Sequence, residues 1–286
     1  MKVATGSGIG SVSTMERLAV CSWSLQPSSP EDLIQKLRTV GISRVQLELD
    51  PLRDFPGVWG DTETLFRENG ITLVSGMVRC IGEDYSTFET IRLTGGIAPD
   101  GTWEQNLKNM SGAALIAGKM GLNLVTFHAG FLPPEESHPN FKKMLERLGT
   151  VADLFQRKNI LVGLETGQET AHELAALLHR LNHPNVGVNF DPANMILYDK
   201  GDPVKALQVL APWIRQVHIK DAKRTKVRFT WGEEVPVGSG EVDWHGFFSA
   251  LKHVIFNVNL VIEREHGKNS VADIQKAREV VERTFF

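Results

Sequence analysis

Eight short apolar runs, each followed by a stretch of helical period, succeed one another along this chain. They are RLAVCSWS (17–24), RVQLELD (44–50), ITLVSGMV (71–78), LNLVTFH (122–128), NILVGLE (159–165), NVGVNFD (185–191), IRQVHIK (214–220) and LVIE (260–263). Strands alternating with helical segments predict a parallel sheet, because parallel neighbours need a crossover between them. Eight such units in 286 residues, with no low-complexity linker, fit one closed α/β architecture. The expected fold is a single-domain (β/α)8 TIM barrel, which takes roughly 250 residues.

The helical segments carry their own punctuation. Pro30 opens PEDLIQKLRTVG, with acids in the first turn and Gly41 as the stop. Further helices are read over 62–70, 102–120, 141–159 and 170–181, from Asp202-Pro203, in VDWHGFFSALKHV and in SVADIQKAREVVERTF. Two long loops remain, at 79–102 and 221–242, where substrate specificity is expected. The first fifteen residues, MKVATGSGIGSVSTM, are small and polar. They read as a disordered tail (1–15) ahead of a barrel over 16–286, with Met15 an alternative start. The tail has no apolar stretch of the signal-peptide kind, so a cytoplasmic protein is expected. No apolar run reaches the roughly 18 residues of a membrane span. A net charge of −3 and a pI near 6.3 give no basic field for nucleic acid. Cys21 and Cys80 sit in apolar strand contexts and read as buried free thiols.

Four ligand-type residues end the last four strand runs: Glu165, Asp191, His218 and Glu263. Taken singly, each has a plain reading. A glutamate at a strand end is often solvated or starts a helix, an aspartate before proline often forms a turn, and a lone histidine is more often structural. Their coincidence is what points to chemistry. In a barrel of this kind the C-terminal strand ends converge on one face. Buried carboxylates there need a cation or partner to offset desolvation. Three carboxylates and one imidazole suit one divalent metal ion, Mn²⁺, Mg²⁺, Co²⁺ or Zn²⁺. Around them stand Trp23, a candidate apolar wall, with Glu48, His128, Asn194, Lys220 and Arg224 as candidate substrate contacts. Asp221 lies in the same HIKDAKR segment, and the glycines of VPVGSGEVDW either approach a ligand or belong to a plain loop.

With TFHAG, LETG, NFDPAN, HIKDAKR, PVGSGEVDW and LVIERE, the chain resembles the xylose isomerase-like superfamily of TIM barrels over about 17–284, in particular its sugar phosphate isomerase/epimerase group. In the ketose 3-epimerases of that group, Glu, Asp, His and Glu hold one divalent ion, and the two glutamates serve as acid and base. The resemblance maps these roles onto Glu165, Asp191, His218 and Glu263, and suggests Arg224 as a substrate contact. One position departs: the substrate-binding histidine of those epimerases is Asn194 here. The same segments resemble endonuclease IV, but two of its zinc-ligand sets are broken, at Asn194 and at Gly232–Glu233–Glu234.

The resemblance therefore implies a metal-dependent sugar or sugar phosphate isomerase or epimerase. It would abstract a proton next to a carbonyl and pass through a metal-stabilised enediolate. A dehydratase of a keto-inositol or dehydroshikimate-type compound is the alternative, ahead of a nuclease or a non-catalytic sugar-binding barrel. The expected partner is a small carbohydrate, with neither nucleic acid nor membrane, and with a dimer or tetramer of the chain possible within the family.

Overall fold

The computed structural model describes residues 17–133, 135–227, 230–254 and 257–285. The tail expected over 1–15 lies outside them. The eight runs form eight strands: β1 Leu18–Cys21, β2 Arg44–Glu48, β3 Thr72–Met77, β4 Leu124–Phe127, β5 Leu161–Glu165, β6 Val186–Phe190, β7 Ile214–Ile219 and β8 Asn259–Ile262. They pair in chain order, all parallel, and β8 closes on β1 through Leu18–Leu260, Ala19–Val261 and Val20–Ile262. Closure removes both sheet edges, so every strand is buried on two faces.

The larger core lies between strands and helices. Helix Phe141–Gln156 shows how it is made: Phe141, Met144, Leu148, Val151, Ala152 and Phe155 recur at helical spacing and are all buried. Each large apolar side chain there contributes about 1.5–3 kcal/mol by leaving water. Inside the barrel the packing is different. A small apolar group of Ala19, Cys21, Val74 and Val261 shares that space with polar side chains. Cys21 and Cys80 are buried and free.

The loops carry more structure than the pattern showed. The expected loop at 79–102 contains helix Phe88–Thr94, opened by a Thr87–Thr90 capping box, and the next helix begins at Asp100. Short helices Asp50–Asp54, Pro56–Trp59 and Pro192–Leu197 follow β2 and β6, each with proline in its first turn. They are too short for a helical period to show in the sequence.

The segment after β7 makes a hairpin, Asp221–Lys223 antiparallel to Glu233–Val235. Asp221 holds its return path. One carboxylate oxygen accepts from the Ala222 and Val242 N–H groups at 2.9 and 3.2 Å. The other accepts from the Gly238 and Gly240 N–H groups at 2.9 and 3.1 Å and from Trp244 Nε1 at 3.0 Å. A Cβ at Gly240 would fall 2.1 Å from Asp221 Oδ1, and Gly238 has φ +82°. These glycines therefore serve a close approach to the chain's own Asp221. Asp221→Ala leaves several buried N–H groups without an acceptor and is expected to cost about 3–5 kcal/mol. A denaturant midpoint like that of the wild type would show that water replaces the carboxylate.

Candidate functional site

The strand period of two sets the site. Inward positions two residues apart stack along the barrel axis, so Gly163 lies below Glu165, Asn189 below Asp191, Gln216 below His218 and Val261 below Glu263. The upper members form the candidate metal centre. One ligand atom each from Glu165, Asp191, His218 and Glu263 lies within 4.8 Å of the others. Asp191 and His218 are 0% exposed, Glu263 2% and Glu165 5%. Glu165 is the last residue of β5, His218 lies within β7, and Asp191 and Glu263 stand one residue past β6 and β8.

Asp191 does two jobs. Its Oδ1 caps helix Pro192–Leu197, accepting from the Ala193 and Asn194 N–H groups at 2.8 and 3.0 Å. Its Oδ2 is buried without a hydrogen bond, and so is His218 Nδ1. That nitrogen faces Glu263 Oε2 at 3.3 Å, Glu165 Oε1 at 3.5 Å and Asp191 Oδ2 at 3.8 Å. Buried polar atoms left without a hydrogen bond are rare, and two converging on one point fit a divalent ion. The far side of the imidazole is fixed, with Nε2 lying 2.9 Å from Gln46 Oε1. Asn189 Nδ2 lies 3.0 Å from the same nitrogen, so the two amides hold the ring with Nδ1 turned toward the three carboxylates.

Gln46 belongs to a buried polar layer beneath the four ligands. Its amide donates to Thr126 Oγ1 at 2.8 Å, and it accepts from Gln216 Nε2 at 3.0 Å. Gln216 in turn donates to Asn189 Oδ1 at 3.2 Å and accepts from Ser75 Oγ at 2.6 Å. Such a connected layer holds the ring above it rigidly.

The surrounding residues sort themselves. Trp23, expected as an apolar wall, donates Nε1–H to Glu263 Oε1 at 2.9 Å, so its polar edge matters as well. Lys220 Nζ donates to Glu263 Oε2 at 3.0 Å and to Glu265, and lies 3.6 Å from Asp191 Oδ2. Asn194 Nδ2 donates to Glu165 Oε1 at 3.1 Å, and His128 Nε2 lies 3.4 Å from the same oxygen. Two of the expected substrate contacts have charged partners of their own in the structure. Arg224 pairs with Asp199 beside the hairpin, because Asp221 fixes where that strand runs. Glu48 is taken by Arg79 at 2.7 Å.

Charge is balanced locally. Burial pushes Glu165 and Glu263 up. His128 and His218 outweigh it at Glu165, and Lys220 and His218 outweigh it at Glu263, so both carboxyls stay below their usual range. Burial pushes Lys220 and His218 down, and the carboxylates more than reverse that.

A cavity beside Glu165 and His128 brings in residues that no sequence period marked: Glu83, Tyr85, Glu169 and Tyr198. Burial pushes the Glu169 carboxyl up to about 7. An unfolded glutamate titrates near 4.5. Between these values the folded chain binds the extra proton, so this group's contribution to stability falls as pH rises and levels off above about pH 7. Glu169→Gln should therefore match the wild type in melting below about pH 4.5 and gain up to about 3 kcal/mol by neutral pH. A gain independent of pH would place the effect elsewhere.

Comparison with known proteins follows the fold. A family model described as "Xylose isomerase-like TIM barrel" matches residues 34–284. A xylose isomerase domain protein from Planctomyces limnophilus superposes with TM-score 0.82 at 27% identity, over 94% of this chain and 96% of that one. A D-psicose 3-epimerase from Clostridium cellulolyticum H10, solved with D-tagatose, gives 0.69 at 14%, over 94% and 99%. A xylose isomerase-like barrel from Mycobacterium smegmatis, in complex with magnesium, gives 0.67 at 15%, over 91% and 90%. A curated 3-dehydroshikimate dehydratase of Bacillus anthracis is 27% identical over 125 residues, 42% of this chain. The chain spans less than half of that relative, 44% of its length.

Proposed function

Because the chain belongs to the xylose isomerase-like TIM barrel family, we propose that it is a divalent-metal-dependent sugar isomerase or epimerase that moves a proton at the carbon next to a carbonyl. The observation that carries this reading is the pair of buried atoms without a hydrogen bond, Asp191 Oδ2 and His218 Nδ1, between two glutamates. Glu165, Asp191, His218 and Glu263 would hold the ion. When bound, it would polarise a substrate carbonyl and stabilise negative charge on its oxygen. Neighbours in this family described with magnesium or zinc support such a site without choosing the metal.

The chain's own residues divide the proton work. Glu165 borders the cavity and lacks a direct lysine partner, so it is the base that removes the proton. Glu263 stands on the far side of His218. Lys220 keeps it ionised, so the proton it would return to the opposite face is one it first takes from Lys220 Nζ at 3.0 Å. Lys220 is reprotonated as Glu165 gives up the proton it removed. Trp23 Nε1–H and Lys220 orient Glu263. Asn194 holds Glu165 in place from the position that a histidine takes in the ketose 3-epimerases the chain resembles.

The dehydratase relative favours a second reading, in which the same deprotonation is followed by loss of water. Incubation in deuterium oxide with a panel of ketoses, keto-inositols and 3-dehydroshikimate separates the two. Exchange or inversion at the carbon beside the carbonyl supports the isomerase reading. A new ultraviolet chromophore supports the dehydratase. Sugar binding with neither event would leave a non-catalytic barrel.

A further inference from the structure

The cavity beside Glu165 measures about 20 Å³, room for about one water molecule. Its polar walls are Glu83, Tyr85, His128, Glu165, Gln168, Glu169 and Tyr198. Among the described residues, no lysine or arginine lines it. The basic groups nearby lie outside the lining: Arg79 pairs with Glu48 and Lys220 with Glu263 and Glu265, although the charge of Arg79 reaches Glu83 and that of Lys200 reaches Glu169.

Both loop carboxylates are held by the backbone at one oxygen and keep acceptor capacity to spare. Glu83 Oε1 accepts from the Gly96 N–H at 2.9 Å, and its Oε2 from Tyr85 OH at 3.3 Å. Glu169 Oε1 accepts from the Gly167 N–H at 3.3 Å. A carboxylate offers about four acceptor positions. Neither glutamate touches the four candidate ligands, and the proton-transfer steps use neither.

We propose that this cavity receives a hydroxyl group of an uncharged polyhydroxy substrate, with Glu83 and Glu169 as specificity-determining acceptors, and that it turns away compounds bearing a phosphate or carboxylate at that end. The inference rests on the proton-transfer reading and narrows its substrate class. A hydroxyl donates to a carboxylate in a charge-assisted bond and accepts from tyrosine or imidazole. An ionised phosphate is all acceptor, larger than the space, and of the same sign as Glu83, Glu165 and Glu169, three carboxylates against the one imidazole of His128. Free ketoses therefore fit where sugar phosphates and a carboxylated ring do not.

The test is calorimetric titration of Mn²⁺-supplied protein with D-fructose, D-tagatose and D-psicose, with the 6-phosphate of each, and with 3-dehydroshikimate. It is run at about pH 8, above the Glu169 value of about 7. At least one neutral ketose should bind about tenfold or more tighter than its phosphate ester. That ratio should shrink in Glu169→Gln and in Glu83→Gln, with folding checked by circular dichroism. A phosphate ester or 3-dehydroshikimate binding more tightly overturns the inference. So does a ratio unchanged in both variants, or no binding of any neutral ketose. Deuterium exchange across the same compounds separates the two levels. Exchange confined to charged compounds sinks this inference and spares the proton-transfer reading, whereas exchange in none of them sinks that reading.

Discussion

Glu165→Gln is expected to lower turnover by about 10²–10⁴-fold while leaving the fold intact. The change is nearly isosteric, and Glu165 sits in a fixed cage: Asn194 Nδ2 at 3.1 Å from one oxygen, Asn189 Nδ2 at 3.1 Å from the other. An amide oxygen still accepts one of these bonds. It cannot take up a proton, so the loss falls on the chemical step and shows in kcat. Glu165 is also a candidate ligand of the ion, so the assay holds Mn²⁺ at saturation. Substrate affinity should then change far less, since the candidate cavity acceptors Glu83 and Glu169 are untouched. Deuterium exchange at the substrate carbon reads the step directly. Near-wild-type exchange in this variant would remove Glu165 from the role of base and pass it to Glu263.

Stripping divalent ions is expected to lower the thermal midpoint by several degrees, and returning Mn²⁺ to restore it. A ligand that binds only the folded chain stabilises by about 4 kcal/mol at a thousand times its dissociation constant. Without an ion, three buried carboxylates share one site and are held together by His218 and Lys220. His218 is then held protonated by Glu263 and Glu165. A cation must displace that proton to reach Nδ1, so metal affinity should rise with pH. Asp191→Asn and His218→Ala should abolish the thermal response to Mn²⁺. Asp191→Asn keeps an oxygen that can cap helix Pro192–Leu197, so its fold should hold while the second, cation-facing oxygen is replaced by an amide nitrogen. A midpoint that still rises with Mn²⁺ in both variants would place the ion elsewhere.

The strand–helix alternation made the barrel legible, because its period is local and each βα unit repeats it. The four candidate ligands were legible for a related reason: a strand end is visible in sequence, and the fold does the converging. The layer beneath them was missed, although the same period of two marks it. Gln46, Asn189 and Gln216 precede Glu48, Asp191 and His218 by two residues on their strands, which places each pair on one inward face. Polar residues inside apolar runs were the available signal. Glu83, Glu169 and Glu265 lie in loops, where no period reports direction. The pairing of Arg224 with Asp199 was hidden for a converse reason. The spacing of Arg224 from His218 is local, but its direction is set by the hairpin that Asp221 pins from seventeen to twenty-three residues away.

The central claim is that Glu165, Asp191, His218 and Glu263 make one mononuclear cation site. Elemental analysis of the purified wild-type chain, before and after reconstitution with Mn²⁺, tests it most directly. About one divalent ion per chain is the expected result. Three zinc ions per chain, or no ion even after reconstitution, would contradict it.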